Sequence, residues 1–215
     1  MKARCLAYLT PLAQEGYSRP ARTALTGGNK KFPHRLSFNK DEALLYRTQV
    51  VDKMSISGVQ TKVSLRLHKG ELKLTDKDGE YILKPTPETQ FENNTDIPAN
   101  EHLTMLLANK IFNIETAANA CIRFKNGELA YITKRFDRQQ GRKIPQEDFC
   151  QLSQRTPNTA GPNFKYEGSY EELGEILKKL CPAYIVEIEK LYKLIVFNYV
   201  FSNGDAHLKN FSLQQ

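Results

Sequence analysis

Asp205 is followed five positions later by Asn210, in the run Asn203-Gly204-Asp205-Ala206-His207-Leu208-Lys209-Asn210-Phe211-Ser212. A carboxylate and an amide at D-x-x-x-x-N spacing suit phosphoryl transfer. The Asp orients or deprotonates a substrate hydroxyl, and the Asn oxygen holds a metal ion. Lys209 could neutralise charge on the transferring group. His207 points the same way as Asp205 in an extended stretch and could orient the loop or contact phosphate. The same residues also read as a plain Asn-Gly-Asp turn. The apolar stretch 191–201 that delivers them favours a site over a turn.

Two further pieces fit the same chemistry. Met54 to Lys62 is a small, hydroxyl-bearing loop directly before a strand. Within it Ser57, Gly58, Val59, Gln60 and Lys62 could lay backbone amides and an ammonium against phosphates. It holds one Gly and no Gly-x-Gly-x-x-Gly fingerprint, so an ordinary strand-entry loop fits it too. Lys84 ends the apolar run Tyr81-Ile82-Leu83-Lys84, the position from which a strand lysine reaches nucleotide phosphates. Such a lysine needs a carboxylate from the following helix, and Glu101 is the candidate. A snorkelling edge lysine is the alternative.

The elements that must position these groups are partly legible. Val63, Leu65 and Leu67 alternate with Ser64, Arg66 and His68, the period of a half-buried strand. Lys69-Gly70 is a turn, Leu72 and Leu74 resume the alternation, and Asp76-Lys77-Asp78-Gly79 is a second turn. Pro85, without an amide proton, closes a third strand. A helix is predicted over 97–111 from the spacing of Leu103, Leu106, Leu107 and Ile111. Two strands, 120–124 and 130–136, flank Asn126-Gly127. Helices are predicted over 146–152, 169–180 and 185–201, with a loop at 153–168. A short strand is predicted over 5–10, a loop rich in Gly and basic residues over 16–31, and the start of a helix over 41–46. Strands come first and helices second, an α+β order.

The chain has 215 residues and a net charge of +7, a modest excess spread along the sequence that favours anionic partners. No base-reading helix, zinc finger or interleaving of aromatic with basic residues is present, which argues against direct DNA binding. Cys5, Cys121, Cys150 and Cys181 lie far apart and read as reduced thiols of a cytoplasmic protein. The apolar run 191–201 is shorter than the roughly 20 residues a membrane span needs and reads as a buried core helix.

Order and residue identity together resemble the HipA family of bacterial serine/threonine kinases, toxins of toxin–antitoxin systems. The matching stretches are 55–62, 81–85, Asn100-Glu101-His102, Lys134-Arg135-Phe136-Asp137-Arg138, 145–151 and 203–212. The resemblance implies a protein-kinase-like α+β fold. Residues 1–50 would be an N-terminal segment of the first lobe, and 51–140 would carry the Gly-rich loop, ATP lysine and hinge. Residues 141–215 would be the start of a helical lobe. ATP and Mg²⁺ are the implied cofactors. Ser55 and Ser57 would be autophosphorylation sites, and Lys84 would contact the ATP phosphates. Lys134 to Phe136 would be the hinge that meets adenine through backbone groups. Asp205 would be the catalytic base and Asn210 a Mg²⁺ ligand. The implied target is an aminoacyl-tRNA synthetase. The Ser-Ile-Ser loop and short N-terminus are most similar to the HipT subfamily. There a small HipS-like partner and a HipB-like DNA-binding protein neutralise the kinase.

Family members continue beyond the catalytic loop to a Tyr-Asp pair whose Asp is a second Mg²⁺ ligand, and this sequence has no such Asp after Asn210. The expectation is a truncated chain, weak or dead as a kinase, with exposed apolar surface on the 191–201 helix. The alternative to an active kinase is a kinase-like module that binds an antitoxin or target protein without phosphorylating it.

Overall fold

The computed structural model describes residues 3–28, 30–50, 60–88, 92–139 and 142–214. They form two compact units, Met1–Phe136 and Asp137–Gln215. The first holds β1 (Ala3–Arg4), β2 (Pro11–Leu12), α1 (Arg19–Thr26), α2 (Lys40–Val50), β3 (Val63–His68), β4 (Glu71–Leu74), β5 (Tyr81–Pro85), α3 (Ile97–Lys110), β6 (Asn119–Arg123) and β7 (Leu129–Lys134). The second holds β8 (Arg138–Gln139), β9 (Arg142–Lys143), β10 (Gln146–Asp148), α4 (Phe149–Leu152), α5 (Pro157–Ala160), α6 (Tyr170–Leu180), α7 (Tyr184–Val200) and β11 (Ser212–Gln214). The architecture is α+β and kinase-like: a β-rich unit followed by a helical one.

An antiparallel five-stranded sheet, in the order β4-β3-β5-β7-β6, is the frame of the first unit. Its register aligns Val63, Leu83, Ile132 and Ala120 across four strands. These buried residues share one face with Leu65, Tyr81, Ile122 and Ala130. The N-terminal 50 residues cover that face with Tyr17, Ala21, Leu25, Phe32, Leu36 and Phe38. The opposite face presents Lys84, Tyr131 and Cys121 in one row and Ile82, Thr133 and Asn119 in the next. The alternation therefore sends apolar side chains to the core and Lys84 to the other side. Helix α3 lies on that other side, against β6 and β7.

Residues 16–31 are not all loop, because α1 forms within them. Ser18 caps it by accepting from Ala21 N–H, Pro20 sits in the first turn, and Gly27 closes it at φ +70°. The breakers sit at the ends, where they terminate a helix rather than disrupt one.

Residues 146–152 are likewise split. Gln146–Asp148 pair with Ser212–Gln214 as a strand, and the helix begins only at Phe149, capped by the Asp148 carboxylate and Gln151. The predicted loop 153–168 contains the one-turn helix α5.

The second unit packs Phe149, Cys150, Leu173, Leu208 and Phe211 into a small core. Gly174 lets α6 approach α7 closely at Ile188. Helix α7 is not the buried core helix expected. Of its residues Phe197 is buried, while Ile185, Tyr192 and Tyr199 are 76, 68 and 86% exposed. That leaves apolar surface exposed on this helix. No helix among the described residues is long and apolar enough to cross a membrane.

Candidate active site

The candidate residues of the first unit are built on β5 and α3. Lys84 stands at the end of β5, its side chain 21% exposed, and its Nζ pairs with Glu101 Oε1 on α3. The carboxylate expected from sequence is thus the one that the lysine meets. Lys84 Nζ also lies 5.5 Å from the Tyr131 ring centre, directly across from it on β7. Burial, with the Glu101 carboxylate adding to it, pushes the Tyr131 phenol upward and keeps it neutral. Lys84 is therefore held on two sides, by an anion and by an aromatic face.

The other candidate residues of this unit divide as follows. Ser55, Ser57, Gly58 and Val59 lie outside the described residues. Gln60 and Lys62 are half-buried just before β3. Between them the Thr61 hydroxyl accepts from Arg47 Nη1 at 3.2 Å. Lys134 ends β7, and the boundary between the two units falls directly after Phe136, which is 63% exposed. The Lys134 amide donates to Ala118 O and the Arg135 amide to Glu80 O. A base edge meeting this segment would need its other backbone groups.

The candidate loop of the second unit follows α7. Ser202 takes a left-handed turn at φ +53°, and Asn203 N–H returns to Asn198 O at 2.8 Å. Asn203 Oδ1 accepts from Asp205 N–H, the local turn that Asn favours. Leu208 and Phe211 are buried in the second core, which pins the loop from below. Leu208 N–H donates to Lys165 O and Phe149 N–H to Phe211 O. With those anchors fixed, Asp205, Lys209 and Asn210 are left exposed.

Asn210 Nδ2 donates to the Asp205 carbonyl and lies 3.4 Å from the Asp205 carboxylate. His207 Nε2 lies 3.5 Å from Asp205 Oδ1, and the ring stands edge-on to Tyr166. The loop thus brings Asp205, His207 and Asn210 together. Lys209 turns aside, its ammonium 5.7 Å from the Phe164 ring centre.

No cluster of three or more His, Cys, Asp or Glu among the described residues forms a metal cage. The fit to Mg²⁺ is nonetheless chemical. Because Asn210 spends its N–H on the Asp205 backbone, its Oδ1 is left as a donor beside an exposed carboxylate. Magnesium takes hard oxygen ligands, with one or two from protein and the rest from water and phosphate.

Sequence reasoning passed over His102 except as part of a matching stretch, and it passed over Asn119. Both are polar and sit between α3 and β6, with His102 3% exposed. A histidine within the predicted helix 97–111, one turn before Leu106, was the available signal.

A kinase-like frame, a strand lysine paired to a helix glutamate, and an Asp/Asn loop after an apolar helix define the class. The family model described as HipA-like C-terminal domain matches residues 54–215, and the chain belongs to that family. A Haemophilus influenzae protein named "Putative kinase" is 29% identical over 220 residues, covering 97% of this chain and 62% of its own length. Sinorhizobium fredii "Putative kinase Y4mE" is 34% identical over 173 residues, covering 75% of this chain and 38% of that protein. A second protein of that organism, "Putative kinase Y4dM", is 28% identical over 177 residues, covering 75% and 41%. The chain thus spans between 38 and 62% of the length of these relatives.

Proposed function

We propose that the chain carries the phosphate anchor and catalytic loop of an ATP-dependent serine/threonine kinase of the HipA type, closest to the HipT subfamily. The observation that carries this reading is the Lys84–Glu101 ion pair. A half-buried pair of this kind contributes little to stability, typically up to about 1 kcal/mol, against a desolvation cost. Its value lies in holding an ammonium ready for anionic phosphates, the task of the strand lysine and helix glutamate in kinases.

Within that reading each residue has one task. Lys84 holds the α- and β-phosphates, and Glu101 holds Lys84. Asp205 orients the acceptor hydroxyl and would take up its proton as the hydroxyl oxygen bonds the γ-phosphorus and the β–γ bridging P–O bond breaks, with ADP as the leaving group. Asn210 keeps Asp205 in place and offers Oδ1 to Mg²⁺, which when bound screens phosphate charge. Lys209 contributes positive potential from its place beside Phe164. Gln60, Lys62 and the Ser57-Gly58-Val59 loop contact phosphate, with Ser55 and Ser57 as autophosphorylation sites. Lys134 and Phe136 border the base. By family resemblance the acceptor is a serine or threonine of a protein such as an aminoacyl-tRNA synthetase. Small HipS-like and HipB-like proteins act as antitoxins, and the compartment is the cytoplasm.

A second reading is a kinase-like module that binds its partner without transferring phosphate. The uncovered Ile185, Tyr192 and Tyr199 on α7 favour it. Intact mass before and after incubation with Mg·ATP, for the chain and for Asp205→Ala, separates the two. A gain of phosphate that maps to Ser55 or Ser57 and disappears in Asp205→Ala supports transfer. Nucleotide binding with no gain in either moves the function to binding.

A further inference from the structure

Adjacent residues of α3 reach two different strands. Glu101 goes to Lys84 on β5, and His102 goes to Asn119 at the start of β6, with β7 lying between them in the sheet. The His102 ring faces an acceptor at each end: Nδ1 is 2.7 Å from Asn119 Oδ1, and Nε2 is 2.9 Å from the Ala7 carbonyl. Asn119 is itself oriented, because its Nδ2 donates to Ala117 O at 2.7 Å. The Ala7 segment is fixed to the same edge, with Cys121 N–H donating to Leu6 O. A chain of polar contacts therefore runs from Ala117 through Asn119 and His102 to Ala7.

The packing beside it is open. Ala7, His102 and Asn119 line a cavity of about 140 Å³ with Tyr8, Leu25 and Met105. Close packing normally fixes a helix's rotation on a sheet. On this flank α3 borders the cavity, and the directional contacts of His102 tie the helix to the sheet.

We propose that His102 is a positioning residue: by bonding α3 to Asn119 of β6 or to the Ala7 carbonyl, it sets the helix rotation that presents Glu101 to Lys84. This rests on the reading of the Lys84–Glu101 pair as a phosphate anchor. His102 itself touches neither Lys84 nor the nucleotide site.

The chain of contacts is also one proton short. Both partners of the ring are acceptors, so a neutral imidazole can donate to only one of them. Burial pulls the imidazolium below the ordinary histidine range, against the opposing pull of Asn119 and Ala7. The titratable and charged groups nearby are Tyr8 in the cavity, Lys110 over the Tyr8 ring, Cys121 facing Pro98, and the Glu101–Lys84 pair. Burial pushes Cys121 up to about 11, so it remains a thiol at neutral pH.

The test reads Lys84 directly. The rate of Nζ acetylation by an N-hydroxysuccinimide ester is mapped by peptide mass spectrometry on the full chain. The variants are Glu101→Gln, His102→Ala, His102→Gln, and Glu101→Gln combined with His102→Ala. Glu101→Gln and His102→Ala should each raise the Lys84 rate by up to about fivefold, the scale of one ion pair. The double variant should be no faster than either single one, since both act through the same carboxylate. His102→Gln can still donate one N–H to Ala7 and should stay near the parent rate. It keeps the test alive should the alanine variant fail to fold. The half-buried Lys134 is the control.

Additive effects in the double variant, an unchanged Lys84 rate in His102→Ala, or an equal rise at Lys134 would each overturn the proposal. Protection of Lys84 by Mg·ATP in the parent chain reports separately on the nucleotide reading. Coupling without protection keeps the positioning role and removes that reading.

Discussion

Asn210 donates its side-chain N–H to the carbonyl of Asp205, closing the loop between two residues five apart. Asn210 in this arrangement has two roles that can be separated: it braces the loop with Nδ2 and faces outward with Oδ1. Asn210→Ala removes both. Because the loop is exposed and anchored from below by Leu208 and Phe211, the expected loss of thermal stability is small, within about 1 kcal/mol. The Mg²⁺ concentration that supports nucleotide binding should rise by about tenfold or more. A magnesium titration of ATP binding, read beside a thermal melt, checks both halves.

Gly79 lies in the turn between β4 and β5, where an added Cβ would fall on the Ser64 hydroxyl. Ser64 is buried. Gly79→Ala should therefore destabilise the first unit by about 1–3 kcal/mol through overpacking. Combining it with Ser64→Ala removes the oxygen and should recover much of that loss relative to Ser64→Ala alone. Thermal or denaturant unfolding of the four proteins measures the coupling.

His102 also gives the molecule a pH dependence of definite sign. Its folded-state pKa is depressed, chiefly by burial, while the unfolded chain binds the proton near the ordinary value of 6.5. Above that value both states are neutral and His102 adds no pH dependence. As the pH falls through about 6.5 the unfolded state takes up a proton that the folded state refuses, and stability drops until the folded pKa is passed. His102→Gln should flatten this part of the curve, by at most about 1.4 kcal/mol per pH unit. Denaturant unfolding between pH 7 and pH 5 on the two proteins tests it. Parallel curves would show that His102 does not carry the effect.

What was legible in the sequence is what local pattern encodes. The alternation from Val63 to Leu74 places β3 and β4, and the Asp205/Asn210 spacing survives because one short loop closes it. The Lys84–Glu101 pair was within reach because the strand and helix are consecutive elements. Other features depend on distant partners. Strand β10 exists because Ser212–Gln214 returns to pair with it, which no window around Gln146 reveals. Helix α1 was hidden because its Pro and Gly serve as caps, and composition does not distinguish a cap from a breaker. His102 and Asn119 are polar residues made compatible with burial only by each other and by Ala7. The apolar run in α7 was read as buried because hydrophobicity shows a preference for cover and not what provides it.

The most direct measurement is the binding of Mg·ATP to the folded chain by isothermal titration, compared with Lys84→Met and Glu101→Gln. The account predicts saturable binding by the parent chain, a loss of about tenfold or more in Lys84→Met, and a smaller loss in Glu101→Gln. Absence of binding by the parent chain, or unchanged affinity in Lys84→Met, would contradict it.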